Sequence, residues 1–164
     1  MTEPHADAPE PLTAEQIRSS KVLVVDDNAQ NLELLVAYLD PLGCQVVTAI
    51  DGVDALEKIS QDVPDLILLD IMMPRMSGFE VCRQIKSDPK TRDVPVLMVT
   101  ALNEMGDIER GVESGTDDFI TKPVNRLELL TRVKSLLRVR HLKGELDRAL
   151  AYLDEVEDRG QPTP

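Results

Sequence analysis

Four short apolar runs, at residues 22–25, 66–69, 96–99 and 119–120, each lead into polar residues: Asp26-Asp27, Asp70, Thr100 and Lys122-Pro123. The runs are rich in Val, Ile and Leu and do not alternate with polar positions, as expected of strands buried on both faces. Segments of helical period separate them, and the order strand, helix, strand calls for a parallel sheet with helices on both sides. Parallel strands share a carboxyl edge. Three carboxylates, a hydroxyl and an ammonium are therefore expected to meet in one crevice at that edge, where open α/β sheets bind their ligands.

The pattern predicts five strands and five helices in alternation. A strand over about 21–25 leads to a helix from about Gln30, with Leu32, Leu35, Val36 and Leu39 at helical spacing and Pro41 and Gly43 as stops. A strand over 45–49 and a turn at Asp51-Gly52 precede a helix carrying Val53, Leu56 and Ile59, closed by Pro64. After Asp70, the loop 72–78 leads to a helix carrying Phe79, Val81, Cys82 and Ile85, and its Pro74 and Gly78 imply a constrained backbone beside Asp70. Pro95 opens the fourth strand, and residues 104–113 form the least apolar helix, with an exposed face. The fifth strand covers about 118–121, and Asn125 is positioned to cap the last helix.

That helix outruns the domain it closes. Val139, Leu142, Leu146, Ala149, Leu153 and Val156 continue at alternating spacings of three and four, a heptad seam, with Leu150 and Tyr152 flanking it where charges usually sit. The seam suits a dimerisation helix, a docking helix for a partner, or a linker to an output domain, and the width of the stripe favours association. Residues 1–20, rich in Pro and acidic residues, read as a disordered or loosely docked tail. Thr13-Ala14-Glu15-Gln16 has the form of a capping box, but so short a helix is marginal unless it docks. The expected organisation is tail 1–20, domain 21–137, helical extension 138–158 and C-terminal tail 159–164.

The chain has 164 residues, room for one domain of ordinary size with extra segments. Its formal net charge of −12 makes direct DNA binding or attraction to an anionic membrane surface unexpected. Cys44 and Cys82 have no metal-type spacing and read as small core residues in a reduced compartment. His5 and His141 have no matching ligands in the sequence and read as surface residues. With no basic leader and no long apolar stretch, a soluble cytoplasmic protein is expected.

Asp26, Asp27 and Asp70 would concentrate about three negative charges in the crevice, opposed there by Lys122. A divalent cation resolves that repulsion, and Mg²⁺ suits it, because it prefers hard oxygen ligands and retains several waters. An anion could then sit between metal and Lys122, with the Thr100 hydroxyl as a donor to it.

The set Val-Val-Asp26-Asp27-Asn28, Leu-Leu-Asp70-Ile-Met-Met-Pro74, Gly78, Thr100-Ala101 and Thr-Lys122-Pro123 resembles the receiver domain of two-component response regulators over residues 21–137. The resemblance implies a flavodoxin-like doubly wound α/β fold with strand order 2-1-3-4-5. It implies that Asp70 is the phosphoacceptor, a carboxylate nucleophile toward a phosphohistidine on a sensor histidine kinase or phosphotransfer protein. Mg²⁺ would be bound by Asp26, Asp27, Asp70 and the Met72 backbone carbonyl. Lys122 would pair with the phosphoryl group, through a strand end whose Lys122-Pro123 bond is cis. Thr100 and Phe119 would form the switch, the hydroxyl moving toward the phosphoryl group and the ring swinging inward. Where some relatives place polar groups two residues beyond Asp70 and Thr100, this chain has Met72 and Leu102, which implies slow autodephosphorylation.

An aspartyl-nucleophile phosphatase of the haloacid dehalogenase type would use the same residue classes. Such enzymes typically carry a second carboxylate two residues after the nucleophile, where this chain has Met72. A third possibility is a receiver piece of a longer protein with a catalytic output domain.

Overall fold

A computed structural model of the chain describes residues 11–101 and 105–160. The five strands are β1 (Lys21–Val25), β2 (Gln45–Ala49), β3 (Leu66–Asp70), β4 (Val96–Thr100) and β5 (Asp118–Thr121). They form one parallel sheet of order β2-β1-β3-β4-β5, the flavodoxin-like doubly wound arrangement. Strands β3 and β4 are buried at every position, which is why their sequences carry no alternation.

Successive strand residues still face opposite ways and divide the core in two. Leu23, Val25, Ile67, Leu69, Val96 and Met98 pack with Ala55, Ile59, Phe79, Val81, Cys82 and Ile85 on one face. Val22, Val24, Leu66, Leu68, Leu97 and Ile120 pack with Leu32, Leu35, Leu39, Leu129, Val133, Leu136 and Leu137 on the other. Helices α3 (Gly52–Gln61) and α4 (Gly78–Ser87) cover the first face; α2 (Ala29–Leu39) and the first part of α6 (Arg126–Gly160) cover the second. Helix α5 (Met105–Ser114) lies beside α4.

Local chemistry starts and stops these helices. The Asn28 side chain accepts from the Gln30 and Asn31 amides to cap α2, and Asp51 caps α3 through Asp54 N–H. A 3₁₀ turn at Asp40–Leu42 ends α2, and Gly43 follows with φ of +70°, a conformation that glycine adopts without strain. Asp117 accepts from the Val96 amide at 2.7 Å and pairs with Lys86 at 2.8 Å, which fixes β4 and the end of α4 to the start of β5.

Several expectations change. There are six helices among the described residues rather than five, because Ala14–Arg18 forms α1 inside the segment assigned to the tail. Both capping-box hydrogen bonds are made, and the helix docks: Gln16 Nε2 lies 2.8 Å from His141 Nε2 on α6. His141, read as a surface residue without matching ligands, joins α1 to α6. Val53, placed on the apolar face of α3, is 60% exposed, and Ala55 and Ile59 carry the burial. Residues 1–10, the Leu102 and Glu104 positions and residues 161–164 lie outside the described residues. The last helix reaches Gly160, two residues past the expected extension.

Candidate functional site at the carboxyl edge of the sheet

Strands β1, β3, β4 and β5 place their polar ends side by side. Asp26 follows β1 directly, Asp70 ends β3, Thr100 ends β4, and Lys122 follows β5. Asp70 stands opposite Val99 and Thr100 opposite Thr121, and the Lys122 amide donates to the Thr100 carbonyl at 2.7 Å. One carboxylate oxygen each from Asp26, Asp27 and Asp70 lies within 4.8 Å of the others. The Lys122 ammonium reaches Asp26 Oδ2 at 3.2 Å and Asp70 Oδ1 at 3.6 Å. Asp26, Asp70 and Thr100 are buried, while Asp27 is exposed. Asp26, Asp27, Asp70 and Lys122 therefore meet, and Thr100 ends the strand next to that of Asp70.

The loops around the crevice hold the carboxylates in place. Asp26 Oδ1 accepts from the Asn28 amide at 2.9 Å, so the residue that caps α2 also turns its backbone donor toward the acidic pair. Asp70 Oδ1 accepts from the Met72 amide at 3.3 Å. The β3–α4 loop folds back so tightly that the Gly78 amide donates to the Ile71 carbonyl at 3.0 Å. A side chain at Gly78 would put its Cβ 2.3 Å from the Asp70 carbonyl oxygen, so only glycine fits there. Arg75, in the same loop, has φ of +69°, and the Lys122-Pro123 peptide is cis.

Burial is the largest influence on the Asp70 carboxyl, and with repulsion from Asp26 it raises the pKa from 3.8 to about 6, against the opposing pull of Lys122 and the Met72 amide. The Lys122 ammonium thus leaves the three-carboxylate cluster electrostatically unsatisfied. Three converging carboxylates supply the hard oxygen donors that a Mg²⁺ ion takes, so the residues present fit that cation.

Phe119 is half-buried against the core face that holds Phe79 and Met98. Its ring tip occupies the space beside α5 where a Cβ on Gly111 would lie, 2.1 Å from the ring Cζ. Sequence reading passed over Gly111, and nothing in the chain around it signals that a glycine inside a helix serves an aromatic ring eight residues later. Arg110, its neighbour, stacks 4.6 Å over the Phe79 ring. Met72 is 61% exposed and contributes its amide, not its side chain, to the Asp70 contacts.

No helix among the described residues is long and apolar enough to cross a membrane.

Comparison with known proteins agrees with the geometry. The family model described as "Response regulator receiver domain" matches residues 22–134. The response regulator PleD of Caulobacter vibrioides is 49% identical over 128 residues, covering 78% of this chain and 28% of PleD. The DNA-binding dual master transcriptional regulator RpaA of Synechocystis is 42% identical over 118 residues, covering 72% of this chain and 49% of RpaA. This chain thus spans about half or less of the length of these relatives. Among solved structures, the receiver domain of a signal transduction histidine kinase from Syntrophus aciditrophicus superposes with a TM-score of 0.70 at 38% identity, covering 73% of this chain and 91% of that one. With the sheet order, the acidic cluster and Lys122 in place, the chain belongs to the response regulator receiver family of two-component systems.

Proposed function

We propose that this protein accepts a phosphoryl group on Asp70 from a phosphohistidine of a sensor histidine kinase or phosphotransfer protein, and that the modified form changes what it binds. The observation that carries this reading is the meeting of Asp26, Asp27 and Asp70 within 4.8 Å, with Lys122 3.6 Å from Asp70. Asp26, Asp27, Asp70 and the Met72 carbonyl would hold Mg²⁺, which supplies charge neutralisation for an in-line displacement. An Asp70 oxygen forms the new bond to phosphorus as the donor's phosphorus–nitrogen bond breaks, and the imidazole leaves with its electron pair. Lys122 orients the transferred group and offsets its charge. The Thr100 hydroxyl is the donor that follows the new oxygens, and Phe119, seated against Gly111, couples that motion to α5.

The phosphatase alternative is disfavoured by Met72, which puts an exposed thioether where such enzymes typically place a second carboxylate. The apolar side chain at Met72, two residues beyond Asp70, supports slow autodephosphorylation. The net charge of −12 disfavours direct DNA contact by these residues, and the exposed stripe on the α6 extension favours output through self-association. Calorimetric titration with Mg²⁺, alone and then with beryllofluoride, tests the site. Wild type should bind the ion and then the phosphoryl mimic, whereas Asp70→Asn should lose the mimic and bind Mg²⁺ more weakly. Equal binding of beryllofluoride by Asp70→Asn would contradict the assignment.

A further inference from the structure

Helix α6 runs 35 residues, and its buried positions end at Leu137. Beyond that point Val139, Leu142, Leu146, Leu150, Tyr152, Leu153 and Val156 are each 43–66% exposed. In heptad terms Val139, Leu146 and Leu153 are a positions, and Leu142, Ala149 and Val156 are d positions. Lys143, Leu150 and Glu157 are then e positions, and Arg138, Glu145, Tyr152 and Arg159 are g positions.

Charge is distributed unevenly along this extension. Residues 138–148 carry four cations against two anions, and residues 149–160 carry four anions against one cation. A parallel pair sets like halves together. Its flanking contacts join Arg138 to Lys143 of the second copy, Glu145 to Leu150 and Tyr152 to Glu157, which is one repulsion and two mismatches. An antiparallel pair sets the basic half on the acidic half and opposes the helix dipoles favourably.

Three antiparallel registers bring a onto d with at least two such pairs, each made twice by symmetry; the one with Val139 opposite Ala149 sets Lys143 on Lys143 and Glu145 on Glu145. With Val139 opposite Val156, the flanks place Arg138 against Arg159 and Glu145 against Tyr152. With Leu146 opposite Val156 and Ala149 opposite Leu153, Glu145 meets Arg159 and Lys143 meets Glu157, each twice by symmetry. Tyr152 meets Tyr152 and Leu150 meets Leu150 beside the two-fold axis. Within its overlap this register gives every charged flank an opposite charge and every apolar flank an apolar partner, at the cost of setting Leu142 opposite Gly160 and leaving Arg138 and Val139 outside. Lys143 also reaches Asp93 in its own chain at 3.2 Å, and an ammonium has donors for both.

We infer that the α6 extension pairs with the same segment of a second copy, antiparallel, about a two-fold axis level with Ala151. The inference rests on the reading that output runs through self-association. It explains why Leu150 and Tyr152 are apolar at positions where a parallel coil carries charge.

The test uses the full chain with Cys44→Ser, in light scattering and in distance measurement between spin labels on Asp158→Cys. Labels level with one another mean a parallel pair. In the inferred register they are offset along the axis by roughly 21 Å; with Val139 opposite Val156 the offset is roughly 31 Å and with Val139 opposite Ala149 roughly 42 Å, from the 1.5 Å rise per residue, and either of these overturns the register. Glu145→Arg or Arg159→Glu alone should weaken association roughly tenfold, two attractive pairs becoming repulsive. The double exchange should restore it. A monomer at all concentrations overturns both this inference and the self-association reading. A dimer with level labels, or one whose double exchange fails to recover, overturns the inference alone.

Discussion

Asp70 is 4% exposed, and its carboxyl is held near pH 6, chiefly by burial and then by Asp26. Before any metal binds, the ionised form therefore works against the fold. A carboxyl whose pKa is raised on folding contributes stability that is fully present below its unfolded value, near 3.8, and lost as pH rises through about 6. The shift of about two units corresponds to roughly 3 kcal/mol at neutral pH, using 1.36 kcal/mol per unit. Asn removes the charge, keeps an oxygen for the Met72 amide and changes little volume, so Asp70→Asn should be more stable than wild type by up to that amount at pH 7. For a chain of this size, that is an increase of roughly 5–10 °C in Tm. The gap should be absent near pH 4, open between about 4 and 6, and stay level above. Saturating Mg²⁺ should narrow it, because the ion binds the wild-type folded state and stabilises it by mass action. The assay is thermal and urea unfolding in chelator across that pH range, then with Mg²⁺. An Asp70→Asn protein no more stable than wild type at pH 7 in chelator would refute the reasoning.

Other parts of the structure give sharper local outcomes. Gly111→Ala should cost about 1–3 kcal/mol by driving a methyl group into the Phe119 ring, and Phe119→Leu in the same chain should recover part of it; additive losses in urea unfolding would show that the contact is not responsible. Asp117→Ala leaves the Val96 amide and Lys86 without their shared acceptor and should lower unfolding free energy by roughly 1–3 kcal/mol. Gln16→Ala should speed hydrogen exchange in α1 while leaving β3 and β4 protected, since α1 depends on its capping box and on His141. The phosphorylated protein in Mg²⁺ should persist for minutes or longer, and decay within seconds would count against a role for the apolar residue at Met72.

The sheet was legible in the chain because its strands are short, continuous apolar runs that end in chemistry, and the parallel order follows from the helices between them. The crevice was legible for the same reason: Asp26, Asp70, Thr100 and Lys122 are tied to strand ends, and strand ends are what the hydrophobic pattern locates best. Features that depend on distant partners were not legible. Five residues of α1 cannot hold a helix alone, and the His141 that secures them is 125 residues away in sequence. Val53 has the spacing of a core residue but stands at the exposed start of α3, where Gly52 packs instead against Met76 and Val81. Gly111 reads as a weak helix residue until Phe119 is seen to need its missing side chain.

The central claim is that Asp70 takes the phosphoryl group. The direct measurement is incubation with acetyl phosphate and Mg²⁺, borohydride reduction of the acyl phosphate, and peptide mapping by mass spectrometry. The account predicts one reduced residue at Asp70, absent without Mg²⁺ and absent from Asp70→Asn. Modification at Asp26 or Asp27, or undiminished labelling of Asp70→Asn, would contradict it.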